Sequence, residues 1–131
     1  MKAVKGKEIL LITENKVGKL GEIAETIKNT GISVRAISAW AFDEEAFFRI
    51  VASDTEKAKQ ILSSVGKVEE KDIVIVDLPD EVGKLFELAS TLKNNDIDLH
   101  YVYGTTSDPG KPAIIVFSSN DDDRALVVIS S

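Results

Sequence analysis

Two stretches of this chain say nearly the same thing sixty-five positions apart, and that repetition constrains the fold more than any other feature. The segment from Asn15 to Ile32 aligns without a gap on the segment from Asp80 to Ile97. Identical residues stand at Val17 and Val82, Gly18 and Gly83, Lys19 and Lys84, Leu20 and Leu85, Glu22 and Glu87, Ala24 and Ala89, and Lys28 and Lys93. An internal repeat has to be settled first, because missing it misassigns the whole architecture. With 131 residues, 44% of them apolar, each copy is near the smallest size that folds alone, so the two halves are expected to lean on each other.

Within each copy the hydrophobic period switches in a fixed order. Ile9 to Ile12 is a short apolar run that reads as a buried strand, followed by the polar turn Glu14-Asn15-Lys16. Val17, Leu20, Ile23, Ala24 and Ile27 then recur at three-and-four spacing, which predicts a helix with one buried stripe. Gly31 stops it in the left-handed conformation of a C-terminal cap, a task left to Asn95 or Asp96 in the second copy. Ile32 to Phe42 and Phe47 to Ala52 read as strands joined through Asp43-Glu44-Glu45, and the equivalent turn later is Asp108-Pro109-Gly110. Ser53-x-x-Glu56 is a capping-box pattern that opens a second helix lined by Ala58, Ile61, Leu62 and Val65.

Strand, helix, strand, strand, helix, strand is the split βαβ order of ferredoxin-like folds. The fold class is therefore α+β: two tandem ferredoxin-like βαββαβ units, antiparallel sheets with helices on one face. The expected division is residues 1–71 and 72–131, with the fourth strand of copy one in Lys67 to Lys71 and the first strand of copy two in Ile73 to Leu78. Copy two runs out after the helix that begins near Asp121, with no fourth strand to follow. The repeat period places the segment from Lys2 to Lys7 where that strand would come, so this segment is expected to complete or cover the second sheet rather than leave an open edge.

The runs Ile73 to Val76 and Ile114 to Phe117 are apolar at every position, yet helices cover one face only. Two readings follow: a second chain covers the open sheet faces, giving a homodimer, or these are central strands with residual exposure.

Composition removes several functions. Without cysteine, thiolate metal sites, iron–sulfur clusters and thiol nucleophiles are excluded. No apolar run reaches the roughly 20 residues of a spanning helix, and Met1 to Lys7 lacks the apolar core of a signal peptide, so a cytoplasmic setting is expected. The net charge of −6 argues against nucleic acid and anionic membranes. No nucleophile, base and orienting group form a set, so the chain is expected not to be an enzyme, and no cofactor or metal is implied. The run Asp121-Asp122-Asp123 is read as complementing a helix dipole rather than holding a cation. Acylphosphatases share the topology but need an arginine in the first turn, which neither copy supplies. RNA-recognition domains place aromatics on the central strands of a basic sheet.

The motif Asn15-x-x-Gly18-x-Leu20, repeated as Asp80-x-x-Gly83-x-Leu85 and closed by Gly31-Ile32-x-Val34, resembles the ACT domain, and the resemblance covers essentially the whole chain. It implies a βαββαβ fold and the binding of amino acids by a regulatory module of amino-acid biosynthetic enzymes. Two copies with no catalytic domain are similar to the small stand-alone tandem proteins of that family. A departure is that family loops often carry proline before the glycine, where Val17 and Val82 stand here.

The residues themselves give the loop a chemical rationale. Glycine permits close backbone approach, and free amides at a helix start can hold a carboxylate. Asn15 and Asp80 offer oxygens to an ammonium, and Lys19 and Lys84 could add charge on the carboxylate side. A plain turn with solvated lysines is the alternative. The candidate loop residues are therefore Asn15, Lys16, Val17, Gly18, Lys19 and Leu20 in copy one and Asp80, Glu81, Val82, Gly83, Lys84 and Leu85 in copy two. The resemblance further implies a pocket where domains or subunits meet, facing the second strand: Ser38 and Trp40, and His100, Tyr101 and Tyr103. Ser38 aligns with Tyr103 and Trp40 with Thr105, so the two pockets are expected to be unequal. For Trp40, Tyr101 and Tyr103 the alternative is packing; for His100 it is a polar strand position. The function expected from the resemblance is amino-acid-responsive regulation, and the rival is a protein-interaction module or regulatory subunit of a biosynthetic enzyme that no longer binds ligand.

Overall fold

The computed structural model describes residues 1–106, 108 and 111–130. The elements run β1 (Lys2–Glu14), α1 (Lys19–Ile27), β2 (Val34–Phe42), β3 (Glu45–Ala52), α2 (Thr55–Leu62), β4 (Lys67–Leu78), α3 (Lys84–Asn94), β5 (Leu99–Thr105), β6 (Ala113–Ser119) and α4 (Asp122–Ser130). They sort into two compact units: the first is Lys7–Lys71, and the second is Met1–Gly6 together with Asp72–Ser131. β1 and β4 thus give one part to each unit, and the segments Lys67 to Lys71 and Ile73 to Leu78 belong to a single unbroken strand.

In the first unit the strand order is β2-β3-β1-β4. β1 and β3 are antiparallel, with Ile9 opposite Ile50 and Leu11 opposite Phe48. One face of these strands packs on the stripe of α1 and α2, closing a core of Ile9, Leu11, Ile23, Ile27, Phe48, Ile50, Ala58 and Leu62. The second unit repeats the plan in the order β1-β4-β6-β5. Val74 stands opposite Phe117 in its antiparallel β4–β6 pair. Its core joins Val74, Val76, Leu88, Leu92, Phe117, Ala125 and Ile129, with Ala3 of β1 packed against them. Each unit therefore shows the α+β, ferredoxin-like pattern read from the repeat.

Local chemistry sets the element ends. Gly31 takes φ +81° after α1, and Asp96 takes φ +55° at the equivalent place after α3, a conformation that short polar side chains tolerate better than most. The expected capping box gives way to a plain N-cap one residue on: Asp54 caps α2, accepting from the Lys57 amide at 3.1 Å. Ser53 is occupied elsewhere, its Oγ accepting from the Ser33 amide at 3.0 Å. The hairpin between β2 and β3 is tighter than expected, because Asp43 adopts φ +54° and pairing resumes at Glu45. Pro109 and Gly110 of the second turn lie outside the described residues.

The runs that suggested a covering chain are mostly buried already. Ile73, Val74, Val76, Val116 and Phe117 are inaccessible to solvent within one chain, and Ile75 nearly so. Most of the apolar exposure falls instead on the outer strands and helix starts: Ile37, Trp40 and Phe42 of β2, Val102 of β5, and Val17, Leu20, Val82, Leu85 and Phe86, with Val4 of β1 and Val127 of α4 besides.

Candidate functional site

Each repeated loop delivers a glycine in the left-handed conformation to the start of a helix. Gly18 (φ +91°) precedes α1 and Gly83 (φ +89°) precedes α3, and no side chain caps either first turn. The Lys19 and Lys84 amides turn back to the Lys16 and Glu81 carbonyls at 3.3 Å, so the amides that follow them in each uncapped turn are the ones left to water or to a ligand. A side chain at either glycine would meet nothing within 4 Å, so the positive φ, not crowding within the chain, is what calls for glycine there.

In the first unit, the loop is tied to the β2–β3 hairpin. The Asn15 amide donates to the Glu44 carbonyl at 2.8 Å, and Asn15 Nδ2 donates to the Asp43 carbonyl at 3.5 Å. Lys19 is largely buried and lies 2.9 Å from Glu22 and 4.0 Å from Glu14, while Lys16 pairs with Glu14 at 3.5 Å. Lys19 also lines a polar cleft with Glu14, Glu44, Glu45, Gly66 and Lys67. Val17 and Leu20 project into solvent. Ser38 stands opposite Arg49 in the β2–β3 register. Trp40 stacks on Phe47 at 5.3 Å between centroids, and the Arg49 guanidinium lies 5.2 Å from the Trp40 ring.

The second unit places the equivalent residues differently. Pro79 replaces Glu14 beside Asp80, and Lys84 pairs with Glu87 at 3.2 Å. Asp80, Leu85 and Tyr103 are brought together on one cleft of about 510 Å³, whose wall among the described residues also includes Val102, Gly104, Thr105, Thr106, Ala113 and Ile115. That size lies within the roughly 300–1,000 Å³ of small-molecule sites. The Thr106 hydroxyl donates to Asp80 Oδ2 at 3.4 Å. Glu81, Val82, Gly83 and Lys84 form the loop beside the cleft without lining it. His100 and Tyr101 do not line it either: the His100 ring sits 3.3 Å from Ser118 Oγ, and Tyr101 stacks on Tyr103 at 6.4 Å.

Sequence reasoning missed Gly104 and Ile115. The available signal was a glycine inside a strand pattern, which marks a close approach. A Cβ at Gly104 would come within 2.5 Å of Ile115 Cδ1. Among the described residues no group of three or more His, Cys, Asp or Glu is placed to hold a metal ion, and no helix is long and apolar enough to cross a membrane.

With this geometry in view, comparisons place the chain. A search of curated protein sequences returns no match. Among solved structures, protein BT0572 from Bacteroides thetaiotaomicron is similar at 23% identity and a TM-score of 0.87, covering 98% of this chain and 88% of that one. The ligand-free regulatory subunit of aspartate kinase from Thermus thermophilus is similar at 13% identity and a TM-score of 0.65, covering 99% and 95%. E. coli aspartokinase III in complex with aspartate and ADP is similar at 18% identity and a TM-score of 0.57, covering 96% of this chain and 31% of that one. At these identities the structures speak for the fold alone. The model of the ACT domain pair matches residues 5–131, and the chain belongs to that family.

Proposed function

We propose that this ACT domain pair is a non-catalytic regulatory protein that binds an amino acid at the loop before a helix and works as a homodimer in the cytoplasm. The observation that carries the reading is the second unit's helix start. There an uncapped first turn behind Gly83 adjoins a cleft with the carboxylate of Asp80 at its mouth. Helix-start amides suit a ligand carboxylate and Asp80 suits an ammonium, so the two poles of an amino acid are met within one loop. The regulatory sense follows from membership of the ACT domain pair family, whose fold the regulatory subunits of aspartate kinase share. The dimer rests on the exposed Trp40 and Phe42 of β2, since the inner strands are already covered. Ligand binding would then act by favouring one arrangement of a contact with a target enzyme, to the extent that the ligand prefers that arrangement.

A thermal-shift screen of the twenty amino acids tests the reading. A true ligand at about 100 times its dissociation constant stabilises by about 2.7 kcal/mol. Sizing with and without the ligand reports the assembly. Val82, Leu85 and Phe86, exposed together around the start of α3, favour a second reading, a protein-interaction module that keeps the fold and has lost the ligand. That reading takes over if no amino acid shifts the melting temperature and Gly83→Asp behaves like the natural chain with any partner.

A further inference from the structure

Four replacements separate the second unit's cleft from the equivalent place in the first. Register sets Gly104 opposite Ile115 in the β5–β6 pair and Ala39 opposite Phe48 in the β2–β3 pair. A hydrogen and a branched alkyl group thus stand where the first unit has a methyl and a phenyl ring. Ile115 leans over the backbone of Gly104, and a Cβ there would also lie 3.2 Å from the Ile114 carbonyl oxygen. Along the same outer strand, Thr105 replaces Trp40. At the mouth, Asp80 replaces Asn15, whose side-chain nitrogen is turned to the hairpin carbonyl of Asp43.

The walls set the chemistry of an occupant. Leu85 and Val102 face the cleft and also bound a wholly apolar cavity of about 230 Å³ that runs on past Leu88, Ala89 and Phe117. A ligand held at Asp80 therefore has aliphatic carbon beside it and no charged group among the cleft's other described lining residues. A cationic end next to Asp80 gains a charge-assisted hydrogen bond. An acidic side chain would meet both Asp80 and a chain of net charge −6. A basic one would bury a second cation against an apolar wall.

Resting on the ligand-binding reading above, we propose that the second unit's cleft binds a neutral amino acid with a branched aliphatic side chain. Asp80 holds the α-ammonium, and Leu85, Val102 and Ile115 enclose the side chain. The first unit, with Asn15, Ala39 and Phe48 at these positions, does not bind it, so the chain takes one ligand.

Calorimetric titration of the full chain with L-leucine, L-isoleucine and L-valine tests this, with L-aspartate, L-lysine and 4-methylpentanoate, which lacks the ammonium, as comparators. One ligand per chain is expected. Asp80→Asn, which should melt like the natural chain when unliganded, weakens binding about tenfold or more. Ile115→Phe, which copies the first unit's floor, does the same. Asn15→Asp leaves the affinity unchanged, and 4-methylpentanoate gives no measurable heat. Two ligands per chain, a preference for aspartate or lysine, or undiminished affinity in both Asp80→Asn and Ile115→Phe would overturn the assignment while leaving the regulatory reading standing. If none of the twenty amino acids binds the natural chain, both fall.

Discussion

Gly18 and Gly83 differ by two degrees in φ, and Lys19 reaches Glu22 just as Lys84 reaches Glu87, yet almost everything around the two helix starts has changed. Glu14 and Asn15 of the first unit are Pro79 and Asp80 in the second. On the sheet, the fully buried Glu8 and its ion-pair partner Arg49, 2.8 Å away, stand where the second unit has Ile73 and Val116. The units share what the backbone conformation demands and differ in what side chains read. A duplicated fold can hold a helix start fixed for steric reasons while the chemistry beside it diverges.

The largest effect expected from this contrast is at Arg49. Arg49→Val takes the guanidinium from a carboxylate with no solvent access, which should cost about 3–5 kcal/mol in urea unfolding. Converting both partners to the second unit's residues, Glu8→Ile with Arg49→Val, should recover most of that loss. If single and double variants lose equally, the ion pair is not what separates the units. Next come the shared features, where equality is the test. Gly18→Ala and Gly83→Ala should each cost about 1–2 kcal/mol, because an L-residue is forced to positive φ with nothing nearby to clash. Unequal losses would mean that the two loops are not conformational equals.

Smaller still are the helix caps. Asp54 accepts from the Lys57 amide at 3.1 Å and Asp121 from the Arg124 amide at 3.0 Å, so Asp54→Ala and Asp121→Ala should each cost about 1 kcal/mol. The smallest difference is a strand-to-helix ion pair whose polarity is reversed between units. Lys59 on α2 meets Glu70 of β4 at 3.4 Å, and Lys5 of β1 meets Asp123 on α4 at 2.8 Å. The hydrogen bond and charge of Asp123 raise the Lys5 pKa above its ordinary 10.5. A raised lysine contributes stability that is complete below its unfolded value and is lost as pH climbs through the folded value, so the effect belongs to strongly alkaline solution. The group is exposed, so Lys5→Met should leave the melting temperature almost unchanged at neutral pH.

The period change from strand to helix in each copy made the fold legible, because Ile23, Ile27, Leu88 and Leu92 had one place to go once the strands were set. Details settled by contacts distant in sequence were not. Ser53 and Asp54 are both good caps, and the approach of the Ser33 amide decides between them. The polar stretch around Lys71 and Asp72 reads as a break between strands, whereas β4 runs straight through it. The burial of Glu8 in a run of apolar neighbours depends on Arg49, 41 positions away. At the candidate site the motif led to Asp80 and Leu85, but the aromatics of β5 drew attention to one face of the strand. Gly104 and Ile115, which shape the cleft, are set by which residues a hairpin places opposite each other, and the alternation pattern does not state that.

The assignment of Met1–Gly6 to the second unit has a consequence for synthesis. On a ribosome the first unit's residues emerge as one contiguous block, so it can close early, while the opening six residues must wait for partners that begin at Asp72. An unpaired strand held through that interval invites pairing with other nascent chains. Its composition suits the delay: lysines at positions 2 and 5, with Lys7 directly after, flank Ala3 and Val4, and such charges keep an idle edge from aggregating. A strand segment only weakly marked as hydrophobic is the one the growing chain has to keep soluble for longest.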